Sequence, residues 1–350
     1  MPIASRALAP CMTLAAALLL PLAPRVAMAQ LPEETIPAPV CDMLAAHPFD
    51  PGRFGRGTTL HQIDADRAVG ACAAAVEADP GNSRLIYQLG RALEAAGQAD
   101  EAQARYTRAA DTGYVPAMSS LAILMLYREN AALTDAPIAL TWLRRAADAG
   151  FAPALVTLGD LHAEGRAVEA NPGTAVGFYR RAADTGNPEG QLALAGAYAD
   201  GTGVTQDDAE AERLYRLAVA QNWGDALNDY AWFLYQRNRD LPEAERLARR
   251  ALASMPEDGN VSDTLAAILT RRGRAVEALP YAIYAAARSP ENAEFHERLG
   301  DTLRDAGRMD DAVTAWRRAL ELTQSDDQRR RLNERLSAAP AAAPAPAPAK

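Results

Sequence analysis

Hydrophobic and polar positions recur with a helical rather than a strand period along most of the chain. Between Ser83 and Ala109, Leu89, Leu93, Ala102, Tyr106 and Ala109 fall at helical steps in two short runs, separated by a turn at Gly97. Such spacing gathers apolar side chains into one stripe and predicts two antiparallel helices. Ala68, Cys72, Ala75 and Val76 repeat the pattern upstream, in a helix that Asp64 is placed to cap and that ends before Pro80. A short helix precedes it at Val40 to Ala46, and Gly52, Gly55 and Gly57 mark a turn-rich loop between them, from Pro48 to Gln62.

One helix end returns at a fixed interval. Arg145-Ala146-Ala147-Asp148-Ala149-Gly150 is preceded 37 residues earlier by the phrase ending in Gly113 and followed 36 later by the phrase ending in Gly186. A worn copy ends in Asn222. Gly or Asn in that place suits the left-handed conformation just past a helix, so each copy closes one helical unit. Beyond Trp223 the interval shortens: Pro256 and Pro290 stand 34 residues apart, and Gln324 keeps their phase. Each unit is too small to bury its own stripe, so the pairs must stack in a row.

The residues of the first regular unit, Leu89-Gly90, Leu93, Gly97, Ala102, Tyr106 and Ala109, resemble the tetratricopeptide signature. So do His296, Leu299-Gly300-Asp301, Leu303, Gly307-Arg308, Ala312, Trp316 and Ala319 near the end. In the middle, Leu158-Gly159, Gly165 and Val168, echoed by Leu194-Ala195, Gly201, Gly203 and Val204, resemble the Sel-one-like subclass. The resemblance covers residues 63 to 324 and implies an all-α solenoid of about seven stacked antiparallel helix pairs. Residues 30–82 read as capping helices with an inserted loop, 83–223 as tetratricopeptide and Sel-one-like repeats, and 224–336 as tetratricopeptide repeats. Residues 337–350 read as a disordered Ala/Pro tail.

The resemblance also implies a working face, the concave surface lined by the first helix of each pair. In the first regular unit the matching phase gives Arg84, Tyr87, Arg91 and Glu94. Later units give Tyr127, then Asp160, then Asp263, and the last gives Glu297, Asp301 and Arg304. This mixture suits an extended peptide or protein surface. The expected function is a non-enzymatic interaction scaffold of the cell envelope; the alternatives are a glycan- or peptidoglycan-binding adaptor and a cell-wall-type hydrolase.

Targeting and charge narrow this picture. Arg6, the apolar run Met12 to Leu22 and Ala27-Met28-Ala29 have the form of a secretory signal cleaved after Ala29, which points to a periplasmic or secreted protein. Loss of residues 1–29 removes Arg6 and Arg25 and no acid, so 36 basic side chains become 34 against 45 acidic ones. That balance disfavours nucleic acid as a partner. No later stretch is long and apolar enough for a membrane span.

Cys41 and Cys72 then remain, one on each of the first two helices. In an oxidising compartment they are expected to bond to each other, Cys72 lying in the stripe that faces the partner helix. The competing reading joins them to His47 and His61 as a metal site, with spacing irregular for zinc. Nothing else converges into a catalytic group, and no cofactor or metal is expected. Asp207, Asp208, Glu210 and Glu212 form an acidic run that reads as a helix start, and Gly201-Thr202-Gly203 reads as a turn. His296 and Trp316 read as packing residues.

Overall fold

The structure, a computed structural model, describes residues 37–128 and 135–339. Residues 1–29, read from the sequence as a secretory signal, lie outside these residues, as do those from Pro340 onward, read as a tail. The described elements are all helical and, apart from one 3-10 turn at Leu60–Gln62, form eight successive pairs followed by one single helix. The first pair is α1 (Pro37–Ala45) with α2 (Ala65–Ala78), and the second is α3 (Ser83–Ala95) with α4 (Ala99–Asp111). Next come α5 (Val115–Tyr127) with α6 (Ala136–Asp148), α7 (Ala152–Glu164) with α8 (Pro172–Asp184), and α9 (Pro188–Asp200) with α10 (Asp208–Ala220). The last three are α11 (Gly224–Gln236) with α12 (Leu241–Ser254), α13 (Gly259–Arg271) with α14 (Ala275–Arg288), and α15 (Ala293–Asp305) with α16 (Met309–Leu322). A separate helix, α17 (Asp326–Ala338), closes the array.

Three boundaries differ from the sequence reading. There are eight pairs among the described residues rather than seven, because α11 and α12 form a pair of their own where the repeat interval changes. Helix α1 begins at Pro37, earlier than expected. Prolines are tolerated in a first turn because the N–H groups there have no helical partner. Helix α17 runs to Ala338, into the segment read as tail, and Ser325 caps its start.

The repeated helix ends behave as their residues dictate. Gly113, Gly150 and Gly186 have φ of 92°, 80° and 83°, and Asn222 takes the same role at 57°. Asp64 and Asp207 cap α2 and α10 through their carboxylates. The rest of the acidic run is tied to arginines: Asp208 to Arg237, Glu210 to Arg213, and Glu212 to Arg216 and Arg239.

Small residues on the first helix of a pair admit large ones from the second. A Cβ added at Gly159 would lie 2.3 Å from the Tyr179 ring, and one at Gly300 would lie 2.3 Å from Trp316. The aromatic side chains thus pack directly on backbone, and interlocked contacts of this kind give a core its density. Four clusters, running from Cys41 to Ala182, from Ala175 to Ala282, from Ala285 to Phe295 and from Leu303 to Leu332, carry the core along the described array.

The curvature follows from which helices touch across pairs. Skipping contacts join α5 with α7, α7 with α9, α9 with α11, α11 with α13, and α13 with α15, all odd-numbered. First helices that meet each other while second helices splay apart place the odd-numbered set on the inside of the curve.

Candidate functional site

The inner face is not one continuous groove. Its N-terminal half is filled by the chain's own segment from Ala46 to Gln62, whose flanking helices α1 and α2 are joined by the disulfide between Cys41 and Cys72. The sulfurs of the alternative metal set are therefore committed to each other, and among the described residues no three His, Cys, Asp or Glu side chains gather around one point.

Buried polar contacts hold this segment in place. Asp50 accepts the Tyr114 hydroxyl at 2.6 Å and the Gly52 amide at 2.9 Å. Arg91 donates to the carbonyls of Ala45 at 2.8 Å and Thr58 at 2.7 Å. Asp42 accepts from Gln88 at 2.6 Å and also from Arg84 and the Phe54 amide. Its aromatic side chains reach far along the array: the His47 ring lies 5.9 Å from Phe151 at the start of α7, and Phe49 lies 5.8 Å from Trp223 at the start of α11. His47 is neutral, because burial, helped by the charges of Arg91 and Arg53, pushes its pKa down to about 3. Its Nδ1 accordingly accepts the Phe49 amide at 3.1 Å.

Between this segment and the helices a cavity of about 240 Å³ persists, lined in part by Phe49, Leu60, Glu94, Ile123, Glu189 and Trp223. Glu189 is half-buried there, and burial, with the charges of Asp225 and Asp160 behind it, raises its pKa to about 7. An acid whose folded-state pKa is raised contributes stability when protonated and loses it as pH rises through that value. The chain should therefore be more stable at pH 5.5 than at pH 8. Glu189→Gln should remove about 1–3 kcal/mol of that difference in paired denaturant melts. An unchanged pH dependence in the variant would show that the carboxyl is not held protonated.

The C-terminal half of the inner face is open. A cleft of about 470 Å³ lies across α11, α13 and α15, walled by Trp232 and Phe295 and edged by Asp225, Asp229, Asp258, Asp263 and Glu294. Arg298 is the one basic residue in its lining. Its guanidinium stands 5.3 Å from the Trp232 ring and 5.6 Å from Phe295, and its Nε meets the Asp263 carboxylate at 2.6 Å. Asp229 meets solvent at the mouth, yet crowding by the groove walls, with the Asp225 charge behind it, raises its pKa to about 6.

The residues expected on a free concave face divide accordingly. Tyr87 and Arg91 are 0 % and 3 % exposed, so they are not surface residues: Tyr87 packs between Tyr106 and Tyr114, and Arg91 anchors the inserted segment. Arg84 is half-buried on Asp42 and the Gly52 carbonyl, and Glu94 accepts the Tyr106 hydroxyl at 2.6 Å. Glu297, 6 % exposed, is covered by α17, where Gln328 and Arg335 each approach its carboxylate to 2.8 Å. Asp301 takes a bidentate contact from Arg335 at 2.9 Å, so the final helix closes over this end of the face as well. Asp263 is 3 % exposed beneath Arg298, at the floor of the open cleft. Asp160 is half-buried and accepts the Tyr179 hydroxyl at 2.8 Å. Tyr127 is exposed beneath the Arg166 guanidinium, and Arg304 is exposed beside Asp305. His296 is half-buried with its Nε2 3.0 Å from the Pro290 carbonyl, and Trp316 is buried.

Sequence reasoning missed Asp225, Asn228 and Trp232. They occupy the same phase on α11 that Arg84, Tyr87 and Arg91 occupy on α3, so the existing rule would have found them once α11 was recognised as a first helix.

Residues 60–122 match the tetratricopeptide repeat family, and residues 115–151, 152–187 and 188–223 match the Sel1 repeat. A comparison with curated protein sequences yields no match. Among solved structures, a protective antigen of uropathogenic Escherichia coli strains displaying an SLR fold aligns with a TM-score of 0.53 at 21% identity, over 77% of this chain and 64% of that one. A Sel1 repeat protein from Oxalobacter formigenes aligns with a TM-score of 0.52 at 20% identity, over 71% and 97%. The APC/C hetero-tetramer Cut9–Hcn1 aligns with a TM-score of 0.60 at 14% identity, over 79% and 52%. The chain thus spans less than two thirds of the first and third of these relatives, and at such identities the likeness is one of fold. No helix among the described residues is long and apolar enough to cross a membrane. The three Sel1 segments begin, join and end at the turns that follow Gly113, Gly150, Gly186 and Asn222, where the structure itself divides into pairs, and residues 60–223 are built of tetratricopeptide and Sel1 repeats.

Proposed function

We propose that the chain is a non-enzymatic interaction scaffold of the bacterial periplasm that binds a peptide or protein along the open half of its inner face. The observation that carries this reading is the cleft across α11, α13 and α15, where aromatic, amide and carboxylate side chains converge while the other half of the face is already occupied. Stacked repeats typically serve protein interaction, and a concave row of first helices offers contacts over several units at once. The periplasmic location is supported by the signal-like features of residues 1–29 and by the paired cysteines, which persist in oxidising compartments.

A photo-crosslinking residue placed at exposed Asn260, on the cleft, should give a discrete protein adduct in the native envelope. The same residue at exposed Ile283, on the second helix of its pair, should not. Equal adducts at both positions, or none at either, would overturn the groove as the working surface. An adduct to cell-wall glycan at Asn260 would replace the protein partner with the glycan-adaptor reading.

A further inference from the structure

We infer that the open cleft docks an extended polypeptide segment bearing arginine or lysine side chains, an inference that rests on the interaction-scaffold reading and specifies its partner. The inner face is divided by charge as well as by occupancy. In the filled half, Arg84 and Arg91 are spent on Asp42, Gly52, Ala45 and Thr58, all within the inserted segment and the helix before it. In the open half, Asp225, Asp229, Asp258, Asp263 and Glu294 face one cation, Arg298. That cation is already neutralised, by Asp263 at 2.6 Å and Glu294 at 3.3 Å.

The acidic lining alone would describe a solvated surface. What points to a ligand is at the floor. Asp263 is 3 % exposed, and although Arg298 Nε lies 2.6 Å from its Oδ2 as an ion pair, neither that Nε nor the buried Oδ1 has a hydrogen-bond partner. A buried carboxylate oxygen without a donor is costly, and a donor entering the cleft would satisfy it. The half-buried Asn228, on the same lining, likewise keeps an unpartnered Oδ1, an acceptor suited to a main-chain N–H.

Arg298 shows how the cleft holds such a group. Its guanidinium lies against Trp232 and Phe295 with carboxylates at its edge, the combination of aromatic face and anionic rim that suits arginine. Asp225 and Asp229, four residues apart on α11, extend that rim with no basic side chain of the lining beside them. An incoming cation therefore finds an anionic rim that no arginine or lysine of the lining neutralises.

The test uses the whole chain and a fluorescein-labelled peptide of alternating glycine and arginine, with a second peptide carrying glutamate in place of arginine. Fluorescence anisotropy should show binding of the arginine peptide that weakens with salt, and none of the glutamate peptide. Asp225→Asn with Asp229→Asn removes two charges at solvent-accessible sites and should weaken binding by on the order of tenfold. The control, Asp326→Asn with Asp327→Asn on α17, removes the same charge elsewhere and should leave binding unchanged. Matching thermal melts establish that both variants fold. Equal losses in the two variants would reduce the effect to general attraction by an acidic protein and overturn the inference, as would undiminished binding to the Asp225/Asp229 variant. If the arginine peptide does not bind while Asn260 still crosslinks to a protein, the scaffold reading stands and the cationic partner falls; if both experiments fail, both readings fall.

Discussion

Replacing Cys41 and Cys72 with serine is expected to destabilise the first helix pair by about 3–4 kcal/mol and to loosen the inserted segment from the inner face. The bond joins residues 31 apart and encloses the whole of the Ala46–Gln62 segment. In the chain-entropy account, opening that loop enlarges the unfolded ensemble while leaving native contacts intact. Those contacts are not enough alone, because Asp42, Asp50 and Arg91 exchange hydrogen bonds with water for hydrogen bonds with protein, a modest net gain. Two readouts separate this from a general loss of stability. Hydrogen exchange should accelerate in residues 37–62 and stay unchanged in α12 through α16, because each pair depends chiefly on its neighbours. The indole of Trp223, against which Phe49 packs at 5.8 Å, should report a wetter surrounding. Exchange in residues 37–62 that is the same with and without the bond would sink the prediction.

Trp316→Ala is expected to cost about 3–5 kcal/mol, confined to the C-terminal end. Trp316 is 1 % exposed and lies on the bare backbone of Gly300, where no side chain stands ready to fill the space it leaves. Its indole N–H also meets Asp301 at 3.2 Å, the carboxylate that receives Arg335 from α17. Removing the ring therefore opens a cavity and slackens the last helix together. Fast exchange limited to residues 293–338, with the first pairs unaffected, is the expected pattern. A uniform loss of protection over all eight pairs would mean that the array unfolds as one unit, against its nearest-neighbour construction.

Much of the architecture was legible because it depends on short-range rules. Gly150 and its copies end helices for reasons internal to a few residues, and Asp64 and Asp207 cap the helices that follow them. Leu89-Gly90 and Leu299-Gly300 disclose packing on Tyr106 and Trp316, since a missing Cβ has to face something large. The inner face was read less well. Phase places Tyr87, Arg91 and Glu297 on the inward side of their helices, and they are there, but phase carries no information about what lies on top of them.

The sequence by itself determined the helices, their turns, their pairing and the side of each pair that faces inward, because these follow from spacing within one or two repeat lengths. Only the tertiary structure decided which part of that side is free. Curvature brings Phe151 and Trp223 within reach of His47 and Phe49, residues far apart in the chain, and it folds α17 back over Glu297 and Asp301. Small rotations summed over successive pairs set that curvature, and no single repeat records the sum. The cleft across α11, α13 and α15 is what remains open after both ends of the inner face have been covered.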